Sequence, residues 1–216
     1  MATLPIIPQP AAAAASTSTD LLGRIYPLLG ATSALDLEFW TDAELLVWVN
    51  AGFQRLARMS GVFVERDATI TVVNGTASYA LPTKNISTIH VALDGARLRP
   101  ASARELEAYS ATWTTDNATP THYLQDYGTA TPYITLWKKP IAGGTLAIVE
   151  HEYPTTITAG ATLPAPDVIS DYVLFYTLGE ARRKESDAAM PEVAAFCDSI
   201  KQLYEEACIS YWGVAQ

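Results

Sequence analysis

Residues 40–81, WTDAELLVWVNAGFQRLARMSGVFVERDATITVVNGTASYAL, change period part-way, and that change decides the fold. In the first half Thr41 and Glu44 stand at capping-box spacing, with Trp40 and Leu45 placed as the hydrophobic staple, so a helix is predicted from Thr41. Leu45, Val49, Phe53 and Leu56 recur every three to four residues, Leu46 widens the stripe, and Arg55 and Arg58 lie off it. This face is expected to be buried, with Gly61 as the stop. From Val62 the pattern alternates. Ala68–Val73 and Thr76–Leu81 flank Asn74-Gly75, the pair best suited to the positive φ angles of a two-residue hairpin turn, so a hairpin is predicted there.

The same punctuation continues downstream. Ile86–Leu93 and Ala96–Leu98 flank Asp94-Gly95 as a second hairpin, and Ala101–Tyr109 reads as a short helix capped near Ser102. Further strands are expected at Thr121–Gln125, Tyr133–Trp137 and Thr145–Tyr153. The last two are joined through Lys138-Lys139-Pro140 and Gly143-Gly144, read as a hairpin turn. Helical patterning returns after Pro164-Ala165-Pro166. Val168–Leu178 is apolar on more than one side, which neighbouring copies could cover. The final helix, from near Pro191, sets Val193, Phe196, Cys197, Ile200, Leu203, Tyr204, Ala207 and Tyr211 on one stripe. Upstream, Leu21–Leu29 reads as a short helix capped at Thr19 or Asp20, weakened by Gly23 and Pro27. The fold class is therefore α+β, with about a hundred residues of short strands enclosed between helical ends.

Composition narrows the function. At 216 residues and 49% hydrophobic content the chain can bury a core, as one domain or as a helical domain carrying a smaller insert. With 14 basic and 23 acidic residues the net charge is −9, which argues against wrapping nucleic acid but permits DNA to pass nearby without sticking. The first twenty residues, rich in Pro, Ala, Ser and Thr, read as a flexible arm or one that orders against a partner. They contain no Lys or Arg, so Ala11–Ala15 does not read as a signal peptide, and a soluble intracellular product with no membrane span is expected. Cys197 and Cys208 lie eleven positions apart in one helix, about 16 Å at 1.5 Å per residue, and are expected to be core thiols.

Motifs for chemistry are missing. His90, His122 and His151 are scattered through predicted strands with no metal-ligand spacing, and His151 reads as a solvated or cross-strand residue. No nucleophile elbow, dinucleotide fingerprint or phosphate loop occurs, so neither a catalytic site nor a cofactor is expected. Arg182-Arg183-Lys184, the only basic cluster, is read as complementing a helix dipole rather than gripping DNA. Tyr211 and Trp212, aromatics near the chain end, suit anchoring to another protein, or docking onto their own bundle.

The order of these motifs resembles the head-to-tail adaptor, or connector, proteins of tailed bacteriophages. The resemblance lies in Phe39-Trp40-Thr41-Asp42-Ala43-Glu44-Leu45-Leu46 through Asn50 and Phe53, then Tyr79-Ala80-Leu81-Pro82, then Leu93-Asp94-Gly95 with Leu98-Arg99-Pro100. It continues through Trp113, Thr119-Pro120-Thr121-His122-Tyr123, the Lys138-Lys139-Pro140 to Gly144 turn, His151-Glu152-Tyr153-Pro154, and the helix from Asp167 with Ala181-Arg182, spanning about residues 37–212. Similar proteins often have small residues around the proline of the Lys138-Lys139-Pro140 turn, and the N-terminal arm has no counterpart.

The resemblance implies a helical bundle (21–61 and 164–212) with an inserted antiparallel β-domain (62–163) between the first long helix and the C-terminal helices, an arm at 1–20 and a tail at 213–216. It implies a ring of twelve copies under the portal protein, joined to a downstream tail or nozzle protein. Genomic DNA would be retained and passed through the lumen without specific binding. The location implied is the virion neck, after assembly in the bacterial host cytoplasm. Tyr211, Trp212, Gly213 and Val214 would meet the portal, and Tyr172, Phe175 and Tyr176 the neighbouring copy. Two other classes compete: another ring protein of the neck or tail such as a tail-tube terminator, and a carbohydrate-binding β module using the tyrosines.

Overall fold

The computed structural model describes residues 16–37, 39–126, 131–164, 167–184 and 189–212. The predicted arm lies largely, and the 213–216 tail wholly, outside them. Among the described residues five α-helices and two four-stranded sheets form an α+β fold with the β region between N-terminal and C-terminal helices. The chain divides into two compact units, Met1–Phe53 with Thr155–Glu206, and Gln54–Pro154 with Ala207–Gln216.

The first unit is helical. Helix α1, Ser18–Leu29, starts three residues before the expected Leu21, because Thr17, not Thr19 or Asp20, is the cap and forms a capping box with Asp20. The helix runs through Gly23 and Pro27. At its end, left-handed Gly30 donates to the Pro27 carbonyl at 3.1 Å and Ala31 to the Tyr26 carbonyl at 3.0 Å, a Schellman closure. Burial of Leu21, Leu22, Ile25 and Leu29 outweighs the weak intrinsic propensity. Helix α2, Asp42–Ser60, has the expected box: the Glu44 amide donates to Thr41 Oγ1 at 3.2 Å and the Thr41 amide to Glu44 Oε2 at 3.0 Å. Trp40, Leu45, Val49, Phe53 and Leu56 are buried as predicted, and Gly61 ends the helix at φ 61°. Helices α4, Asp167–Arg183, and α5, Pro191–Trp212, follow the β region.

The second unit holds strands β1 (Val64–Val72), β2 (Ser78–Ala80), β3 (Asn85–Leu93), β4 (Ala96–Arg97), β5 (Arg99–Pro100), β6 (His122–Asp126), β7 (Tyr133–Trp137) and β8 (Gly144–Glu152), with helix α3 (Ala103–Tyr109) after β5. The sheets run β1-β8-β3-β4 and β2-β7-β6-β5, antiparallel except for β5 against β6. Val72, Val91, Leu98, Leu146 and Ile148 from one side join Tyr79, Tyr123, Ile134 and Leu136 from the other in one apolar cluster, a sandwich core. The Asp94-Gly95 hairpin forms as expected: both residues have positive φ, 47° and 83°, and β3 pairs with β4. Ser102 caps α3 with Glu105 in a capping box.

Two expected hairpins do not form. β1 pairs with β8 and β2 with β7, so the Asn74-Gly75 turn passes the chain from one sheet to the other. Likewise β7 and β8, expected to be joined by a hairpin turn at Gly143-Gly144, belong to different sheets. The first turn is locally real, with Gly75 at φ 78° and the Thr76 amide donating to the Val73 carbonyl at 3.1 Å. What redirects the strand is Tyr79, whose hydroxyl donates to the Thr76 carbonyl at 2.7 Å and accepts from the Val73 amide at 3.1 Å. This fills the polar groups a hairpin ladder would use while the ring enters the core. The two crossings also bind each other, through the Gly75 amide and the Pro140 carbonyl at 2.8 Å.

Candidate interaction surfaces

The cluster Arg182-Arg183-Lys184 holds the helical unit together. Arg182 Nη2 donates to the Leu28 carbonyl at 2.8 Å, and its guanidinium lies 5.4 Å from the Trp40 ring centre. The Trp40 indole in turn donates to the Ala181 carbonyl at 3.0 Å. Lys184 Nζ reaches the Phe39 carbonyl at 2.8 Å and Glu44 at 2.7 Å, and Arg183 pairs with Glu180 and Asp198. These bonds join α4 to the end of α1, the start of α2 and α5, and Arg182 and Arg183 also stand in the last turn of α4, where the helix-dipole reading expects them. The Lys184 bond is the main reason the Glu44 carboxyl is held below its ordinary value, and the Arg183 bond does the same for Asp198. Tyr26 adds another tie, donating to Asp42 at 2.9 Å, and burial first, then that carboxylate, pushes its pKa to about 12.

The three residues expected to meet a neighbouring copy occupy different environments. Tyr172 is buried within its own chain, its hydroxyl donating to the buried Glu205 at 2.9 Å. Phe175 and Tyr176 are half-buried. Phe175 stacks with Tyr204 at 6.3 Å and 27°, while Tyr176 packs on Gly52 and lies 5.5 Å from Lys201 Nζ. Much of α4 is thus covered by its own chain.

Helix α5 carries the surface that the sequence reading missed. Its buried residues are Ala194, Cys197, Glu205 and Cys208, and a Cβ placed on Gly179 would sit 3.4 Å from that of Cys197, so α4 and α5 approach closely. Phe196, Leu203 and Tyr211, expected on one stripe with Cys197, are instead 60%, 62% and 80% exposed. Small residues at 194, 197 and 208 carry the signal: close helix packing selects small side chains, which leaves the large ones outside. The cysteines are free and buried, as expected. The side chain of Trp212, and Gly213 and Val214, lie outside the described residues.

The β unit offers little for catalysis. His151 is buried rather than solvated; neither ring nitrogen has a hydrogen-bond partner among the described residues, and a Cβ on Gly61 would fall 2.7 Å from its ring. Beside it Glu150 is also buried, accepts from Asn85 Nδ2, and has its pKa raised, chiefly by burial. No potential metal-holding cluster occurs among the described residues. Trp137, stacked with Tyr109 at 5.9 Å and 22° and 5.2 Å from His122, is 9% exposed, so its faces are covered from within.

Charge divides unevenly between the units. The helical unit has 14 acidic and 5 basic residues, and the β unit 9 of each, so the entire net −9 lies on the former. Cavities of about 530, 430 and 520 Å³ adjoin one another along β4, β5 and the start of α3, sharing Arg97 and Arg99, then Pro100, as lining residues.

A helical scaffold with an outward apolar helix face, carried on one chain with a β sandwich, suits a protein built for assembly. The model of the SU10 adaptor protein family matches residues 16–208, and the chain belongs to that family. It is thus a phage adaptor-type protein, of a structural family that interacts with other head or tail components. No curated protein matches it. No helix among the described residues is long and apolar enough to cross a membrane.

Proposed function

We propose that this protein is a head-to-tail adaptor that forms a ring of twelve copies under the portal, joins it to the tail, and helps retain and pass the genome. Alongside the family match over residues 16–208, the observation that carries this reading is the exposed apolar face of α5, Phe196, Leu203 and Tyr211, on a chain whose own core is complete without it. On this reading Phe196 and Leu203 pack on the neighbouring copy beside half-buried Phe175 and Tyr176. Tyr172 acts from behind by fixing Glu205, and the segment from Tyr211 through Trp212, Gly213 and Val214 meets the portal. The acidic helical unit supports passage of DNA, since a negative surface repels phosphates.

Mixing purified protein with portal rings, followed by sedimentation and electron microscopy, tests this. Twelve copies per portal ring are expected. Deleting Tyr211–Gln216 should weaken attachment about tenfold or more while circular dichroism is unchanged. Unchanged attachment would remove the chain end from the portal contact, and failure of the intact chain to join any portal or tail ring would overturn the adaptor reading.

A further inference from the structure

The segment Ala96–Pro100 is the edge of both sheets at once: β4 ends the order β1-β8-β3-β4, and β5 ends β2-β7-β6-β5. Alternation sends Leu98 into the core, 2% exposed, and turns Arg97 and Arg99 outward together. Among the described residues neither guanidinium has a hydrogen bond or ion pair, although the unit has as many acidic residues as basic ones. The nearby carboxylates are committed elsewhere. Asp94 accepts from the Thr145 amide at 2.8 Å, and Glu105 from the Ser102 amide at 2.7 Å. Cavities of about 530, 430 and 520 Å³ lie end to end along this edge, the first walled also by Thr121 and His122 and the last by Tyr123 and Gln125.

We propose that this furrow is a docking site for an extended, acidic segment of a tail-side partner protein, which lies along the double edge and places carboxylates on Arg97 and Arg99. The identity of the partner as tail-side rests on the adaptor reading; the furrow itself does not. An elongated concavity beside short edge strands suits an extended chain, and planar guanidinium forks suit carboxylates in bidentate geometry. Two arginines and His122, with no lysine on the cavity walls, are too few for a phosphate track, which needs a longer row of cations. A competing explanation is that Arg97, Arg99 and Pro100 merely guard the edge against pairing with other strands.

Fluorescence anisotropy with the full chain and a labelled peptide of alternating glutamate and valine separates these readings. Saturable binding at low salt is expected, weakened about tenfold or more in R97E/R99E, partly in R97Q/R99Q, and little in R58E/R66E, which makes the same charge change outside the furrow. Absence of saturable binding, equal loss in R58E/R66E, or tighter binding of single-stranded DNA than of the peptide would overturn the proposal. Attachment of R97E/R99E to portal rings should match that of the unaltered chain. Loss of portal attachment by the unaltered chain would strike the adaptor reading alone, and the peptide result judges the furrow by itself.

Discussion

The helical unit and the β unit are held together by different means. In the β unit, ladder bonds satisfy the backbone and an apolar cluster from both sheets supplies the core, with side-chain hydrogen bonds largely local. In the helical unit many of the long-range ties run from side chain to backbone or to opposite charge: Trp40 to Ala181, Arg182 to Leu28, Lys184 to Phe39 and Glu44, and Asn50 to Ile157, which it contacts with both its oxygen (2.7 Å) and its nitrogen (3.0 Å). Helices complete their own hydrogen bonds except at their ends, so charged and amide side chains do the joining there. That unit also bears all the net charge, whereas the neutral β unit has two outward arginines along its double edge.

The largest expected effect comes from removing one core leucine or isoleucine from each unit. Leu45→Ala and Ile148→Ala, both at fully buried positions, should each cost about 2–5 kcal/mol. Calorimetry of the two variants sharpens the comparison: L45A should lower chiefly the helical transition and I148A chiefly the β transition. Equal lowering of a single transition by both would mean that the units unfold as one, whatever their separate bonding.

Arg182→Met tests the helical bracket itself. The change keeps apolar bulk against Trp40 but leaves the Leu28 carbonyl without the guanidinium, at an expected cost of about 1–3 kcal/mol in urea unfolding. If R182M instead matches the unaltered protein, the bracket is dispensable and apolar packing holds both units alike.

How much of this was legible depended on whether a signal was local. Thr41 with Glu44, Asp94-Gly95 and the cap at Ser102 are local signals, and each was read from the chain; Glu105 as the partner of Ser102 was not. Asn74-Gly75 was read correctly as a turn but wrongly as a hairpin, because pairing is decided by Tyr79 and by a second strand far along the sequence. Pro27 and Gly23 lowered the expectation of α1 because propensity does not register a Schellman closure or an apolar face. On α5, periodicity located the apolar residues but could not choose between two overlapping faces; Gly179 and the small residues of α5 chose. The brackets of Arg182 and Lys184 span more than a hundred residues and leave no local pattern.

A smaller effect, confined to the β unit, is expected from Glu150→Gln. Burial raises the pKa of this carboxyl above its ordinary 4.5, so the folded state holds the proton more tightly than the unfolded chain. Its contribution is most favourable below 4.5 and is lost as pH rises through the raised value. The amide keeps an acceptor for Asn85 without ionising. E150Q should therefore raise the melting temperature at pH 8 and change it little at pH 4, flattening the pH profile between. A uniform shift at all pH values would show that the Glu150 carboxyl titrates alike in the folded and unfolded states.

The smallest effects fall on the local signals. Thr41→Ala removes one acceptor at the start of α2 and should cost about 1 kcal/mol. Gly95→Ala forces a side chain into φ 83°, with nothing within 4 Å to clash, and should cost about 1 kcal/mol by strain alone. Similar size makes the pair informative in hydrogen exchange: T41A should speed exchange in the first turns of α2, and G95A along the β3–β4 ladder. Because the helical unit is braced at its ends by side chains from distant segments, loosening one cap should also speed exchange around Lys184, which bonds to Glu44. In the β unit, where each ladder pair satisfies its own groups, loosening one turn should stay with its neighbours. Spread in the β unit and confinement in the helical unit would invert the contrast between the two modes of bonding.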